Sequence, residues 1–250
     1  MTAEASVLRA TDEEVALALR RAGLYRLLGA AFAYPGPERC AEVGRLASAI
    51  AESVPGDARL AGALAALVAA ARDAVPSAVA AEYVFLFDRE VRCSPHEGSY
   101  GDRPQLAGKS ALLADVSGFY TAFGLEPSAG EPDVEDHVAA ELEFMSALAV
   151  KEAWALAQGE AEGFAVTRRA QAAFLTDHLG RWAGVFAEEL ATATPLPYYT
   201  TAAALLCAWI DAECERLGAA PTRIAQRLGH DPQEAEAFTC PMAESEGETV

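Results

Sequence analysis

The chain has 250 residues, with 37 acidic against 19 basic side chains and a formal net charge of −18. Hydrophobic residues make up 52% of it, and alanine dominates that fraction, which favours an all-α fold because alanine is the best helix former and a poor strand former. So acidic a surface excludes nucleic acid and anionic membranes, which need a basic footprint, and attracts a basic partner instead.

Thr11-Asp12-Glu13-Glu14 is a capping box, and Val15, Ala18, Leu19, Ala22, Tyr25, Leu28 and Phe32 behind it keep one helical face. Pro35-Gly36-Pro37 stops that helix. Helices are expected over about 38–53 and 58–74, parted by Pro55-Gly56-Asp57, and Pro76 opens another that carries Glu82 to Phe87. From about 88 to 104 the periodicity fails, and Cys93 to Gly101 is loop chemistry rich in Pro, Gly and Ser. A helix over about 105–123 and a loop over 124–132 lead into three long helices, about 133–158, 164–192 and 197–217. In the middle one Phe174, His178, Trp182 and Phe186 form an i+4 ladder. The last, carrying Tyr198, Leu205, Leu206 and Trp209, is apolar nearly all round and is expected at the centre. The reading is one globular helical domain of about eight helices over 1–218. Residues 219–250 follow as a short helix and a disordered acidic tail ending in Glu244, Glu246 and Glu248.

Met1 to Ala10 carries no export signal, and Leu60 to Ala71 is too short and too weakly apolar to span a bilayer. The five cysteines show no paired short spacing. Together these features point to the cytoplasm, a reducing compartment, and no stable membrane insertion.

Gly108-Lys109-Ser110 ends like a phosphate-binding loop, but Arg103 stands where that loop needs glycine. Val134, Leu175 and Arg227 precede His137, His178 and His230 by three, so the Glu-x-x-His pairs of a di-iron bundle are missing. Cys93 and His96 make half of a zinc site without a second half. No metal site is expected. A Gly-x-Ser-x-Gly motif is also lacking, and nothing indicates an enzyme.

Every charged side chain from Glu126 to Glu143 is a carboxylate: Glu126, Glu131, Asp133, Glu135, Asp136, Glu141 and Glu143. One reading makes Asp133 to Asp136 partners of a helix dipole; the other makes the group a site for a cationic ligand. His178, on an aromatic stripe, reads as a satisfied core histidine. His137 follows a loop beside Asp136, where the pair can fasten loop to helix or face a bound peptide.

These segments resemble the TorD/DmsD/NarJ family of cytoplasmic chaperones for molybdenum enzymes. Glu82-Tyr83-Val84-Phe85-Leu86-Phe87 resembles its Glu-Tyr-x-x-Leu-Phe segment. Ser94-Pro95-His96-Glu97-Gly98-Ser99-Tyr100 resembles its Pro-x-Glu-Ser-x-Tyr loop, with Gly98 and Ser99 shifted. Asp136 to Met145 matches its Asp-His-x-x-x-Glu-Leu-x-Phe-Met signature, and Phe174 to Trp182 its later helix. The resemblance covers about residues 12–217.

It implies an all-α protein without cofactor or turnover, a monomer or weak dimer. The implied client is the N-terminal leader, often a twin-arginine signal, of a molybdopterin oxidoreductase catalytic subunit, held until its cofactor is inserted. The leader site is then expected at Asp136, His137 and Glu141, with Glu131 and Asp133 supplying field. Tyr83, Phe87, Tyr100, Phe144 and Trp182 are candidates to line a groove for the leader's apolar part, Phe144 and Trp182 more readily as plain core, and Glu97 is expected at the same site. Two alternatives are a ligand-sensing helical regulator, which would need a basic recognition helix, and a metal-dependent helical enzyme, which would need a ligand set.

Overall fold

Alanine-rich segments punctuated by proline and glycine become nine α-helices among the described residues, which in this computed structural model are 11–52, 58–89, 91–101, 106–126, 135–225 and 227. α1 (Asp12–Phe32) opens as its capping box requires: Glu14 N donates to Thr11 Oγ1 at 3.2 Å, and Thr11 N to Glu14 Oε2 at 2.7 Å. α2 (Pro37–Ala51) and α4 (Pro76–Tyr83) begin on proline, where the missing N–H leaves no helical bond unmade. α3 (Ala58–Asp73) lies between them. The chain after α4 widens into a π-helical turn over Val84–Arg89, an uncommon geometry that recurs at functional sites. α5 (Leu106–Ala122) follows the loop. α6 (Val138–Gln158) and α9 (Pro197–Leu217) end on left-handed Gly159 and Gly218, and α7 (Ala161–Asp177) and α8 (Leu179–Ala193) lie between them.

Two expectations need correcting. The helix expected over 133–158 starts at Val138, with His137 as its N-cap, so Glu135 and Asp136 precede the first turn and are not its dipole partners. The helix expected over 164–192 is two helices, broken at His178 (φ −127, ψ −104). Gly180 supports that break: a Cβ there would stand 2.3 Å from the Leu175 carbonyl oxygen, so only glycine fits. The loop at 53–57 lies outside the described residues. So does 228–250, with the expected acidic tail, while 219–225 and 227 hold no helix.

α9 is central, as its all-round apolarity requires, and packs on α1, α3, α7 and α8. Tyr198, Tyr199, Leu205, Leu206 and Trp209 are buried, and Trp209 meets Tyr25 of α1 edge-on at 5.3 Å. α1 in turn packs along α6. No single helix among the described residues is long and apolar enough to cross a membrane.

At the meeting of α1, α6, α7 and α9 the core is ionic. Arg21, buried, donates through Nε and Nη2 to Glu213 at 2.7–2.9 Å, and also to Glu152 and Gln171. Gln171 Nε2 bonds Glu152 at 2.8 Å, and Arg168 reaches Glu152 from the rim at 3.2 Å. Removing one partner of such a cluster strands a buried charge, so Arg21→Ala should lower unfolding stability by about 3–5 kcal/mol in chemical denaturation. A loss below about 1 kcal/mol, the range of exposed pairs, would contradict the assignment.

Candidate functional site

Loop residues 91–101 lie across two helix starts, that of α6 and that of α8. Backbone bonds fix them: Val138 N donates to Pro95 O at 2.8 Å, and Glu97 N to Asp136 O at 2.9 Å, with His96 and His137 forming an antiparallel bridge. His137 Nδ1 accepts from Ala139 N at 3.1 Å, which caps α6, and its ring meets His96 edge-on at 5.2 Å. The expected side chains Asp136, His137, Glu141, Glu97 and Tyr100 therefore come together, and all are buried. Glu131 and Asp133 lie outside the described residues.

Asp136 faces inward. Its Oδ1 pairs with His96 Nδ1 at 3.0 Å and its Oδ2 accepts from Gly98 N at 3.0 Å. Burial opposes its charge, but these bonds overcome the penalty and hold it below the usual aspartate range. A Cβ at 98 would stand 3.0 Å from Asp136 Oδ2, so a larger residue there would push on the carboxylate that Gly98 N holds.

Glu97 and Glu141 are the second pair. Glu97 Oε2 bonds His178 Nδ1 at 3.0 Å, and Glu141 Oε2 accepts from Trp182 Nε1 at 3.2 Å. Burial first, then the Glu97 charge, drives Glu141 well above the carboxylate range, so it keeps its proton to higher pH than an ordinary glutamate. Glu97 Oε1 and Glu141 Oε1 otherwise have no donor among the described residues. The Glu141 proton, hydrogen-bonded to Glu97, supplies it. Burial disfavours a charged His178, yet its bond to Glu97 and the nearby Asp115, 3.3 Å from Nε2, raise its pKa above the usual histidine value. His178 thus does more than fill the core: it joins the loop to the α7–α8 break.

Aromatic rings link this cluster to the remaining expected residues. Tyr100 stacks on Trp182 at 5.3 Å, Trp182 meets Phe186 at 5.5 Å, and Phe186 lies 6.3 Å from Phe87. Phe87 packs on Tyr83 at 4.9 Å, and Tyr83 on the exposed Tyr34 at 5.3 Å. Tyr83 and Phe87 are core residues here, joined to the carboxylates through this chain of rings. The Tyr100 hydroxyl donates to Ser94 O at 2.7 Å. Cys93 is no nucleophile, since burial pushes its thiol up to about 12. Among the described residues, no three His, Cys, Asp or Glu side chains gather in a way that could hold a metal.

Sequence reasoning missed His96, His178, Glu189 and Arg227 as members of this region. On its outer side the loop borders a cavity of about 690 Å³, lined in part by Arg92, Glu188, Glu189 and Arg227. Val91, at the loop's start, has φ +43, a left-handed backbone that a β-branched residue rarely adopts.

The pH dependence of stability follows from these shifts. Glu141 keeps its proton to higher pH in the fold than in the unfolded chain, where it ionises from about 4.5 upward. Its raised value therefore costs stability as pH rises above that point. His178 contributes stability below its normal 6.5 that is lost as pH rises through its raised value. Asp136 and Glu152, held low, act in the opposite direction and lose their contribution as pH falls into the acid range. The melting temperature should thus be highest in mildly acidic buffer and fall toward about pH 8.5. Glu141→Gln, a neutral side chain of the same shape, should flatten that fall. A wild-type melting temperature that climbs from about pH 5.5 to 8.5 would contradict the assignment.

The family model described as "Nitrate reductase delta subunit" matches residues 55–188, a span that holds the loop, the start of α6 and the α7–α8 break. The chain is 34% identical over 143 residues to the selenate reductase assembly chaperone protein of Thauera selenatis, covering 55% of this chain and 69% of that one. It is 31% identical over 119 residues to the perchlorate reductase assembly chaperone protein of Dechloromonas aromatica (strain RCB), covering 47% and 51%. The match thus spans about half the length of that relative. A solved structure, a putative redox enzyme maturation protein from Archaeoglobus fulgidus, aligns with 22% identity and a TM-score of 0.39 over 60% of this chain and 91% of its own. On the strength of the family match, which takes in more than half of its residues, the chain belongs to the nitrate reductase delta subunit family of NarJ/TorD type.

Proposed function

We propose that this protein is a cytoplasmic, non-catalytic assembly chaperone that holds the N-terminal leader of a molybdopterin oxidoreductase catalytic subunit until the cofactor is inserted. The observation that carries the reading is the family match, whose relatives are named as reductase assembly chaperones. The net charge of −18 supports it as well, because it favours encounter with a basic segment.

The leader site is proposed at the loop 91–101 and the start of α6. Asp136, His137, Glu141 and Glu97 hold that surface in shape from beneath, and Glu131 and Asp133 add negative field. Tyr100, Phe87 and Tyr83 back it with an aromatic layer, so that apolar contact supplies most of the affinity. In this arrangement Asp136 and His137 are positioning residues, and their effect on binding runs through the loop.

Isothermal titration with a synthetic leader bearing two arginines and an apolar helix tests this. Wild type should bind, and raised salt should weaken the complex moderately and slow its association. Asp136→Asn, which keeps the shape but removes the charge that holds His96, should weaken binding with the helical circular dichroism retained. Unaltered binding by a folded Asp136→Asn protein would remove that residue from the leader site. No binding by the wild type to leaders of molybdopterin subunits would overturn the function.

A further inference from the structure

α5 is seated on the core differently from the other helices. Among the described residues no helix packs broadly along its backbone, and aromatic side chains span the gap instead. Phe119 reaches Phe174 at 5.3 Å, His178 at 5.5 Å and Phe144 at 6.3 Å, and Tyr120 meets Phe144 at 4.8 Å. Phe123 adds a third ring, 6.1 Å from Phe144. The Tyr120 hydroxyl donates to Glu135 O at 2.8 Å, and the exposed Asp115 lies 3.3 Å from His178 Nε2. Beneath these rings Phe144, Phe174 and His178 form a buried floor between α6 and the α7–α8 break.

The inward face of α5 combines a cation with an apolar stripe. Lys109, Leu112, Val116, Tyr120 and Phe123 recur at three- and four-residue intervals and so share one side, with Val116 and Tyr120 buried. Lys109 stands at the acidic end. A Cβ at Gly98 would lie 3.6 Å from Lys109 Cε and 3.0 Å from Asp136 Oδ2, so the lysine side chain passes beside that carboxylate. The stripe then runs over Phe144 and Phe174. An amphipathic helix laid with its apolar face in a groove is read through such intervals. Gly118, inside α5, would meet nothing within 4 Å through a Cβ, so no close approach requires it, and it lowers the helix's own stability. A helix held this way, by side chains on one face, belongs to the part of a fold that opens first.

We infer that α5 is a resident lid: it occupies a groove floored by Phe144, Phe174 and His178, and it lifts as one unit when an amphipathic helix with a leading cation takes its place. That the incoming helix is the leader rests on the reading proposed above; the groove and its present occupant do not. While seated, α5 keeps the aromatic floor from standing open as an apolar patch. The affinity of any incoming helix is reduced by the fraction of molecules in which α5 has lifted, so weak binders are turned away.

Amide hydrogen exchange on the full chain and a synthetic peptide of residues 106–124 provide the test. Without ligand, wild-type α5 should exchange about tenfold faster than α6 and α9, because it opens without them. Exchange of α5 in step with α6 would overturn the inference. Phe119→Ala, which removes the ring that spans the floor, should bind the 106–124 peptide about tenfold more tightly than wild type. The same peptide carrying Val116→Asp should show no such gain. A folded Phe119→Ala protein without the gain would overturn the inference, and should that variant fail to fold, the wild-type exchange rates decide. The leader peptide, added to wild type, should speed exchange in α5 while slowing it in the first turns of α6. Leader binding with α5 exchange unchanged would sink the lid and leave the proposed function standing. A gain for the 106–124 peptide with no leader binding would do the reverse.

Discussion

Two carboxyl groups, Glu97 and Glu141, lie buried against one another, and two charges in that position would repel with no water to screen them. One must hold a proton. Once Glu141 does, it becomes a donor to Glu97, Glu97 bonds His178 through its other oxygen, and Trp182 can donate to the remaining Glu141 oxygen. This proton links the loop, the first turn of α6 and the break between α7 and α8, beside the backbone bonds from Val138 N to Pro95 O and from Glu97 N to Asp136 O. Asp136 adds a second fastening a few residues away, through His96 and the Gly98 amide. The loop's shape thus rests on buried electrostatics together with its backbone bonds to Leu86, Asp136 and Val138.

The molecule keeps its two buried polar centres apart in role. The Arg21 cluster satisfies its charges among side chains of four helices and reaches the rim at Arg168 and Arg216, which suits a structural rivet. The Glu97–Glu141 cluster instead fixes the loop 91–101, the surface proposed above for the leader. Between that loop and the rest of the core runs the ring chain from Tyr100 through Trp182 and Phe186 to Phe87 and Tyr83, so the loop is seated on rigid aromatic packing.

What could be read from the sequence follows the range of the interactions involved. The capping box of α1, the proline start of α4 and the centrality of α9 are local or periodic features, and each was legible. The meeting of Asp136, His137 and Glu141 was legible through spacing on one helix start. The partners that give those residues their state were not. His96 lies 40 residues from Asp136, Glu97 lies 81 from His178, and Arg21 lies 192 from Glu213, and nothing in a single sequence marks such pairs. The α7–α8 break was hidden for another reason. The ladder Phe174, His178, Trp182 and Phe186 keeps its helical spacing straight across it, and Gly180 is too weak a signal by itself to announce a close backbone approach. The acidic run misled in part, because Asp136 is held by a distant histidine and not by the helix dipole.

The central claim is that the loop 91–101 and the start of α6, fastened by buried carboxylates, form the surface a leader meets. Amide hydrogen exchange followed by mass spectrometry, with and without a leader peptide, tests it most directly. The account predicts that protection on binding concentrates in residues 91–101 and the first turns of α6, with the α1–α9 core unchanged. Protection confined to other helices, with the loop exchanging as before, would contradict it.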